Sequence, residues 1–343
     1  MSTRGYYYIG LDVHKKSVSF CVMEPDGTVV KEGRVVATRG ALTAWAESLP
    51  GRWYGGMEAT LFSGWVYDHL QGYALRLAVG DPGRLKAITA AKKKSDALDA
   101  RMLANLLRCH LFPECFMAPS TVRELRRVLR YRNKMVREST RMKNHISGLL
   151  METGMEYNKK QLHGRRYFAR LLEQLELPPS VLNLLRMTRA GLDFFQSRQG
   201  YLLAALARDS RLQERMERLR EIAGVGQVTA LTWMLEIWDP NRFRNRRQAV
   251  SYCGLCSAQR ESAGKMQRGP LSKKRNGHLQ TILIEAAKLA PRYDATLAAV
   301  YDRTLASTGR RNLATLAVAR KLVGYLLAVD RRWHAEQKRK VAA

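Results

Sequence analysis

The sequence predicts an α/β domain over residues 1–118, a helical region over 119–215 and a mostly helical region over 216–343. Three observations lead to this organisation. Short β-rich segments separated by turns occupy the beginning of the chain, helical and extended patterns then alternate up to Pro119, and helical periodicity dominates after that proline.

The first region begins with three predicted strands. The segment "YYYIGLD" is β-rich and apolar, "SVSFCVM" alternates, and "TVVKEGRVVAT" follows the turn "PDG". A helix over "GALTAWAESL", a fourth strand ending near Glu58, a helix over 61–72 and a strand over "ALRLAVG" come next. A helix carrying Asp96 and Asp99 closes the region. A three-stranded meander followed by alternating helices and strands is the order of an RNase H-like α/β domain.

The region 119–215 is predicted to be all-α and similar to a coiled coil. Leu129 and Val136 keep the helical period of its first helix, and a break at "LPPS" separates this helix from later helical segments. Between Arg123 and Lys143 this helix carries nine basic and two acidic residues. Its outer face is therefore expected to be strongly positive.

The region 216–343 opens with two glycines, Gly224 and Gly226, between two helical patterns. They predict a turn similar to a helix–hairpin–helix motif, whose backbone N–H groups can hold a phosphate. The other interpretation is a turn that only packs two helices. A basic segment with Gly and Ser in its second half follows over 242–274, and helices rich in Ala, Leu and Arg end the chain.

Net charge is the strongest compositional signal. The chain has 59 Lys and Arg against 30 Asp and Glu, which gives a formal charge of +29. An excess of this size indicates a polyanionic partner, and nucleic acid is favoured. Membrane-surface binding is not favoured, because the basic residues are spread over several segments and do not gather on one amphipathic helix.

The sequence also bears on the compartment. No run of about 18 apolar residues, the length that a membrane span needs, is present. The N-terminus enters a strand pattern directly, without the apolar segment of a signal peptide. Five cysteines without a framework are typical of a reducing cytosol. We therefore expect a cytoplasmic protein and no membrane.

Four acids are the candidate metal ligands. Asp12 and Glu58 end two predicted strands, and Asp96 and Asp99, three residues apart, project from the same side of one helical turn. If the four carboxylates meet, they would form a two-metal site for a phosphodiester, and oxygen ligands favour Mg²⁺ or Mn²⁺. The alternative is that Asp12 is a turn residue at the end of a strand and Glu58 is an ordinary surface acid. Asp96 and Asp99 would then be acids of a helix N-terminus, paired with the lysines of Lys92–Lys94.

Several motifs together resemble a known family. In order, they are "YIGLDVHK", "MEAT", "KSDALDARMLA", "AGVG" and "YCGLCSAQRESAGK…LSKKRNGH". The chain resembles the DEDD-type transposases of insertion sequences, family 110, which are bridge-RNA-guided recombinases. The likeness keeps the same order over nearly the whole chain.

This resemblance implies a RuvC-like N-terminal domain, a helical linker and a C-terminal transposase domain with a nucleophilic serine. By position, Asp12, Glu58, Asp96 and Asp99 match the four acids. Ser262 in "RESAG" matches the serine, although Ala263 separates it from the glycine that commonly follows. Ser272 in "PLSKK" is the alternative nucleophile.

The implied activity is cutting and rejoining of DNA strands with metal assistance, through a 5′-phosphoserine intermediate. Its implied partners are donor and target DNA, a structured non-coding guide RNA and further copies of the chain in a dimer or tetramer. Acids and serine lie on distant segments, so two domains or two subunits could complete one site.

Other polar residues receive weaker assignments. Cys253 and Cys256 form a CxxC pair without a second pair, which favours buried thiols over zinc. His14 lies on the same predicted strand face as Asp12 and is interpreted as a surface histidine. The residues expected to contact nucleic acid are Arg123, Arg126, Arg127, Arg130, Arg137, Arg242, Arg244, Arg246, Arg247, Lys265, Arg268, Lys273 and Lys274.

Two other classes of protein share these features. A metal-dependent nuclease similar to a Holliday-junction resolvase would use the same four acids with water as nucleophile and would need no serine. A catalytically silent DNA- or RNA-binding protein would tolerate loss of the acids, and their joint presence speaks against it.

Overall fold

Five strands near the N-terminus form one mixed sheet in the order β3-β2-β1-β4-β5. The computed structural model describes residues 6–88, 95–262 and 264–342. The strands of this sheet are β1 (Tyr7–Val13), β2 (Ser17–Met23), β3 (Val29–Val36), β4 (Trp53–Glu58) and β5 (Arg76–Gly80).

The pairing of the strands is that of the predicted fold. Strands β1, β2 and β3 form an antiparallel meander, whereas β4 pairs parallel to β1 and β5 parallel to β4. The predicted RNase H-like order is thereby confirmed for the N-terminal region. The chain divides into two compact units, Met1–Ser120 and Thr121–Ala343. A finer division into 119–215 and 216–343 stays a prediction.

One face of the sheet carries the main apolar core of the first unit. Because side chains alternate along a strand, Leu11 and Met57 point to this face and are fully buried there with Leu42 and Val66. The helices of the first unit are α1 (Arg39–Glu47), α2 (Ser63–Leu70), α3 (Pro82–Ile88) and α4 (Asp96–Arg108).

Helix α4 packs on the opposite face, against β1, β2 and β4. Two paired glycines, Gly10 and Gly56, allow its close approach. A Cβ at Gly10 would lie 1.9 Å from the carbonyl oxygen of Ala100, and a Cβ at Gly56 would lie 2.7 Å from the side chain of Leu107. These glycines thus set the distance between the sheet and the helix that carries two of the candidate acids.

We expect Gly10→Ala to lower the free energy of unfolding by about 3 kcal/mol or more, because the helix backbone would have to move away from β1. Gly40→Ala is the matched control, since a Cβ at Gly40 meets nothing within 4 Å. Gly40 lies inside α1, where Ala is favoured by about 0.5–1 kcal/mol. Chemical denaturation measures both variants, and wild-type stability in Gly10→Ala would contradict the close packing of α4.

The second unit is helical apart from one hairpin. Its first helix is 33 residues long, and the predicted break at "LPPS" separates α6 from α7. Its elements are α5 (Ser120–Glu152), α6 (Arg165–Gln174), α7 (Pro179–Ala207), α8 (Ser210–Arg220), α9 (Gln227–Ile237), α10 (Arg246–Tyr252), β6 (Ser257–Ser262), β7 (Lys265–Leu271), α11 (Gly277–Leu289), α12 (Ala295–Thr308) and α13 (Arg311–Ala342).

The two long helices α5 and α7 run antiparallel. Gln199 donates a hydrogen bond to the carbonyl oxygen of Met135, while Ile146, further along α5, is buried in one cluster with Leu185 and Leu192. Apolar side chains from both helices therefore form a shared core. A regular coiled-coil geometry stays a prediction.

Helix α13 includes the stretch Arg311–Lys340, which is long and apolar enough to cross a membrane by length and composition. Its most apolar window is 39% buried inside the structure, and Leu322 and Leu326 are fully buried. Core helices of soluble proteins can have the same length and composition, so these two properties are weak evidence of a membrane span. The contacts of α13 with α8, α10, α11 and α12 support the expectation of no membrane.

Candidate active site and nucleic-acid interface

Strands β1 and β4 place two acids beside the first turn of α4. Asp12 lies two residues after Gly10, and Glu58 lies two residues after Gly56. Because side chains repeat their direction every second residue, both acids face the side of the sheet on which α4 packs. The Asp12 side chain is 16% exposed. The strand ends thus present two carboxylates to one helix terminus.

The other two acids lie in the first turn of α4. Ser95 caps this helix, since its Oγ accepts a hydrogen bond from the N–H of Leu98 at 3.3 Å. Asp96 and Asp99 follow within one turn. The positive end of the helix dipole favours carboxylates at this position.

Three of the four acids share one pocket. Asp12, Glu58 and Asp99 line an open pocket of about 320 Å³, with Lys86 at its wall. Their carboxylate oxygens are hard donors of the kind that Mg²⁺ and Mn²⁺ accept, so the donor set fits the predicted metal. Asp96 does not line this pocket, and the predicted roles of all four acids stay predictions.

Asp96 is directed toward the edge of the sheet. Its Oδ2 accepts a hydrogen bond from Arg34 Nη2 at 2.8 Å, and its Oδ1 lies 3.6 Å from His14 Nε2. The alternative pairing of Asp96 and Asp99 with Lys92–Lys94 concerns lysines that lie outside the described residues.

His14 lies next to two of the four candidate acids. Its Nε2 lies 2.9 Å from Asp12 Oδ2, and its ring therefore stands between Asp12 and Asp96. The sequence signal for this contact was the spacing of Asp12 and His14, two residues apart at the end of a strand. The predicted surface position of this histidine agrees with its side chain, which is half exposed.

The pKa of the Asp12 carboxyl is shifted by its burial and by the charged groups around it. Burial raises the pKa of the Asp12 carboxyl above its ordinary value, and the neighbouring Asp96 and Asp99 carboxylates act in the same direction. His14 lowers the pKa by its charge and its hydrogen bond, but the net direction is upward. A carboxylate held under such repulsion is one that a cation would stabilise.

The candidate nucleophile lies in the second unit, at the tip of the β6–β7 hairpin. Ser262 is the last residue of β6 and pairs in register with Lys265, the first residue of β7. Gly264 in the turn has a φ of +74°, a backbone conformation that glycine adopts without strain. The side chains of Ser262, Lys265 and Arg268 lie outside the described part of the chain, and their assigned roles stay predictions.

Ser272, the alternative nucleophile, has structural contacts. Its Oγ accepts a hydrogen bond from the N–H of Lys274 at 3.2 Å, and its own N–H donates to the carbonyl oxygen of Cys256 at 3.0 Å. These bonds hold the turn that leads from β7 to α11, so a structural reason for a serine at this position is present.

Eight of the predicted phosphate-binding residues are exposed in the second unit. They are Arg127, Arg130, Arg137, Arg244, Arg246, Arg247, Lys273 and Lys274. Arg123 is half-buried. Arg242 is half-buried too, and its guanidinium lies 4.4 Å from the ring centres of both Phe243 and Tyr252. The exposed residues are the ones available to a polyanion.

Arg126 and Arg130 hydrogen-bond to groups inside the second unit, although the Arg130 side chain is still 47% exposed. Arg130 donates two hydrogen bonds of 2.8 Å to the carboxylate of Glu236, which is 1% exposed and also accepts from Asn276. Arg126 donates to the carbonyl oxygen of Leu235 at 2.8 Å. Substituting Arg130 would remove two hydrogen bonds from the buried Glu236 carboxylate, and substituting Arg126 would remove the one to Leu235, so weaker nucleic-acid binding in such a variant would report on folding as well.

The predicted turn between two helices is confirmed, because Gly224 and Gly226 lie between α8 and α9. Gly224 has a φ of +78°, and a Cβ there would lie 2.6 Å from the Cβ of Ala290. Packing therefore accounts for Gly224, and contact of the turn with a phosphate stays a prediction. In the CxxC pair, Cys253 is buried, which raises the pKa of its thiol to about 12, and Cys256 is half-buried.

Comparison with known families identifies the chain. A family model described as "Transposase", of the DEDD type of IS110, matches residues 9–155, and a second one described as "Transposase IS116/IS110/IS902 family" matches residues 216–302. The chain belongs to the IS110 family of transposases. The matched residues include the four acids Asp12, Glu58, Asp96 and Asp99 and the β6–β7 hairpin that carries Ser262. Members of this family are enzymes that act on DNA.

Curated relatives carry transposase names. The chain is 25% identical to the "Transposase for insertion sequence element IS1111A" of Coxiella burnetii, over 83% of this chain and 78% of the relative. It is 22% identical to the "Transposase for insertion sequence element IS1328" of Yersinia enterocolitica, over 82% and 83%. It is 29% identical to a "Probable family 20 transposase" of Pseudomonas aeruginosa, over 48% of this chain and only 49% of that relative. Likeness to IS110-family transposases thus extends well beyond one domain.

Proposed function

We propose that this protein is the transposase of an insertion sequence, which cuts DNA strands and rejoins them to a target through a phosphoserine intermediate, guided by a structured non-coding RNA. The observation that carries the proposal is the convergence of Asp12, Glu58 and Asp99 in one pocket of an RNase H-like domain. The family matches support the transposase activity, and the charge of +29 supports nucleic-acid partners.

The acids would hold Mg²⁺ or Mn²⁺. Asp12 and Glu58 come from rigid strands, and Asp99 comes from the first turn of a capped helix, so the carboxylates are positioned before substrate binds. When bound, the ions supply charge stabilisation at the phosphodiester. Lys86 at the pocket wall is suited to a phosphate oxygen of the DNA backbone.

Ser262 would be the nucleophile. Its Oγ forms a bond to the phosphorus of a DNA strand as the bond from phosphorus to the 3′ oxygen breaks, and the hydroxyl proton ends on the departing 3′ oxygen. The 5′ phosphate remains esterified to the serine, so the energy of the phosphodiester bond is kept. A 3′ hydroxyl of another strand then reverses the step and releases the serine.

The exposed cations of the second unit are suited to the backbone of donor DNA, target DNA and guide RNA. Arg127 and Arg137 lie on α5, Arg244 and Arg246 flank the start of α10, and Lys273 follows the hairpin. Bringing two DNA molecules together calls for a dimer or tetramer, for which the long antiparallel helices α5 and α7, in a coiled-coil arrangement, offer a scaffold. The enzyme would act in the cytoplasm, where the DNA is.

A resolvase-like nuclease with water as nucleophile was the alternative. It would use the same acids, but the family models and the named relatives are transposases and support the recombinase. The two activities differ in their products. A recombinase joins strands of two molecules, whereas a nuclease leaves free ends.

Purified protein tests the proposal with a labelled donor duplex, a target plasmid, divalent metal and RNA transcribed from the DNA that flanks the gene. We expect joined donor–target product only when protein, metal and this RNA are all present. A scrambled RNA of equal length is the matched control. Equal joining with scrambled RNA would contradict the guide, and cut DNA without any joining would contradict the recombinase.

A further inference from the structure

A second group of metal-ligand side chains adjoins the acidic pocket. It consists of Asp12, His14 and Asp96, and each offers one ligand atom, with all three atoms within 4.8 Å of one another. His14 Nε2 is 2.9 Å from Asp12 Oδ2 and 3.6 Å from Asp96 Oδ1. Since Asp12 also lines the pocket with Glu58 and Asp99, it belongs to both groups.

We infer that Asp12, His14 and Asp96 form a second metal position, which shares Asp12 with the first and takes Mn²⁺ in preference to Mg²⁺ because His14 supplies a nitrogen ligand. The inference rests on the proposed function, since it extends the metal centre assigned there. It makes His14 a fifth ligand beside the four acids and gives the two positions different chemistry.

The division of the acids between two positions supports this inference. Asp96 and Asp99 are three residues apart on α4, so their directions differ by about 60° around the helix axis. Asp99 lines the pocket, and Asp96 faces His14 and β3 instead. The Asp96 carboxylate lies outside the pocket and so is poorly placed to bind a metal at the first position. It is well placed to bind one at a second position beside Asp12.

Neighbouring hydrogen bonds orient Asp96 and His14 as metal ligands. Arg34 Nη2 donates to Asp96 Oδ2 at 2.8 Å, which leaves Oδ1 directed toward His14. A hydrogen bond to one oxygen of a ligating carboxylate is a usual way to fix the orientation of the other. The backbone N–H of His14 donates to the carbonyl oxygen of Ser17 at 2.9 Å, and this bond holds the turn from which the ring projects.

The preference for Mn²⁺ follows from the donor atoms. Mg²⁺ binds oxygen almost exclusively and keeps its water, whereas imidazole nitrogen is a good ligand for transition metals. The first position has only carboxylates in the described part of the chain, and the second adds His14. One mixed centre would therefore bind Mg²⁺ at one position and prefer Mn²⁺ at the other.

Electron spin-echo spectroscopy of Mn²⁺ tests the inference on the full-length protein without DNA. A histidine bound to Mn²⁺ gives a ¹⁴N modulation that carboxylates do not give. We expect this modulation in the wild type, its loss in His14→Gln, and its retention in His145→Gln, where the histidine is exposed on α5. We also expect His14→Gln to weaken Mn²⁺ binding at one position by about tenfold or more, with Mg²⁺ binding little changed.

The outcomes separate this inference from the proposed function. Bound Mn²⁺ without ¹⁴N modulation in the wild type would overturn the role of His14 and leave the acidic pocket standing. Modulation that persists in His14→Gln would overturn it as well, since another histidine would be the ligand. Absence of any Mn²⁺ or Mg²⁺ binding in the wild type would overturn the metal centre as a whole.

Discussion

Asp12→Asn and Asp99→Asn are each expected to lower metal-dependent strand cleavage by about a thousandfold or more, with the fold intact. The two carboxylates come from different elements and line one pocket, so neither can be replaced by its neighbour. Cleavage of a labelled duplex under single-turnover conditions measures the loss. Asp26→Asn is the matched control, because Asp26 lies in the exposed β2–β3 turn. Normal cleavage by the Asp99→Asn variant would contradict its role as a ligand.

The same substitutions separate a functional acid from a structural one. Because the pKa of Asp12 is raised in the folded protein, this group favours folding only below its unfolded pKa, and that contribution is lost as the pH rises through the folded pKa. Asp12→Asn removes this loss and should stabilise the metal-free protein at neutral pH. Hydrogen bonds from Thr28 lower the pKa of Asp26, so Asp26→Asn should show no such gain. Thermal unfolding in a chelator measures both.

Ser262→Ala is expected to abolish strand cleavage while DNA binding and metal binding remain. A nucleophile is not replaced by binding interactions elsewhere, so the loss should be several orders of magnitude. The control is Ser272→Ala, which removes the hydroxyl that accepts a hydrogen bond from Lys274 but leaves the hairpin tip unchanged. It should keep most of its cleavage activity.

The reverse pattern would move the nucleophile. An inactive Ser272→Ala with an active Ser262→Ala would place the reaction at Ser272, one loop along the chain. Full activity in both variants would favour metal-activated water and the resolvase alternative. A cooperative thermal unfolding transition in each variant shows that Ser262→Ala and Ser272→Ala are folded.

The topology of the first unit was predictable because local patterns determine it. Alternation along β1 and β4 places Asp12 and Glu58 on the same side as Gly10 and Gly56, and the helix that carries Asp99 was predicted at the position where α4 lies. The separation of Asp96 from Asp99 was not predictable. Both lie in one helical turn, and only the partners Arg34 and His14 show which way Asp96 turns.

The arginines of α5 are a second example of contacts that the sequence does not predict. Nine cations in one helix predict a positive face, but the sequence does not say which cations lie on it. Arg130 is paired with Glu236, a residue 106 positions later in the chain. Such distant partners leave no local pattern, so the hydrogen bonds of Arg126 and Arg130 to Leu235 and Glu236 became visible only in the fold. The assignment of Ser262 depends on motif likeness, since the sequence around it is that of an ordinary loop.

The proposed phosphoserine mechanism requires a covalent bond between Ser262 and DNA. Wild-type protein is incubated with metal, guide RNA and a nicked duplex, from which the short fragment released by cleavage dissociates so that rejoining is blocked. The protein–DNA products are then digested with nuclease and trypsin. We expect a residual 5′-nucleotide mass on the tryptic peptide of residues 261–265, localised to Ser262 by fragmentation and absent from the Ser262→Ala variant. Cleaved DNA with free 5′ phosphates and no modified peptide would contradict it.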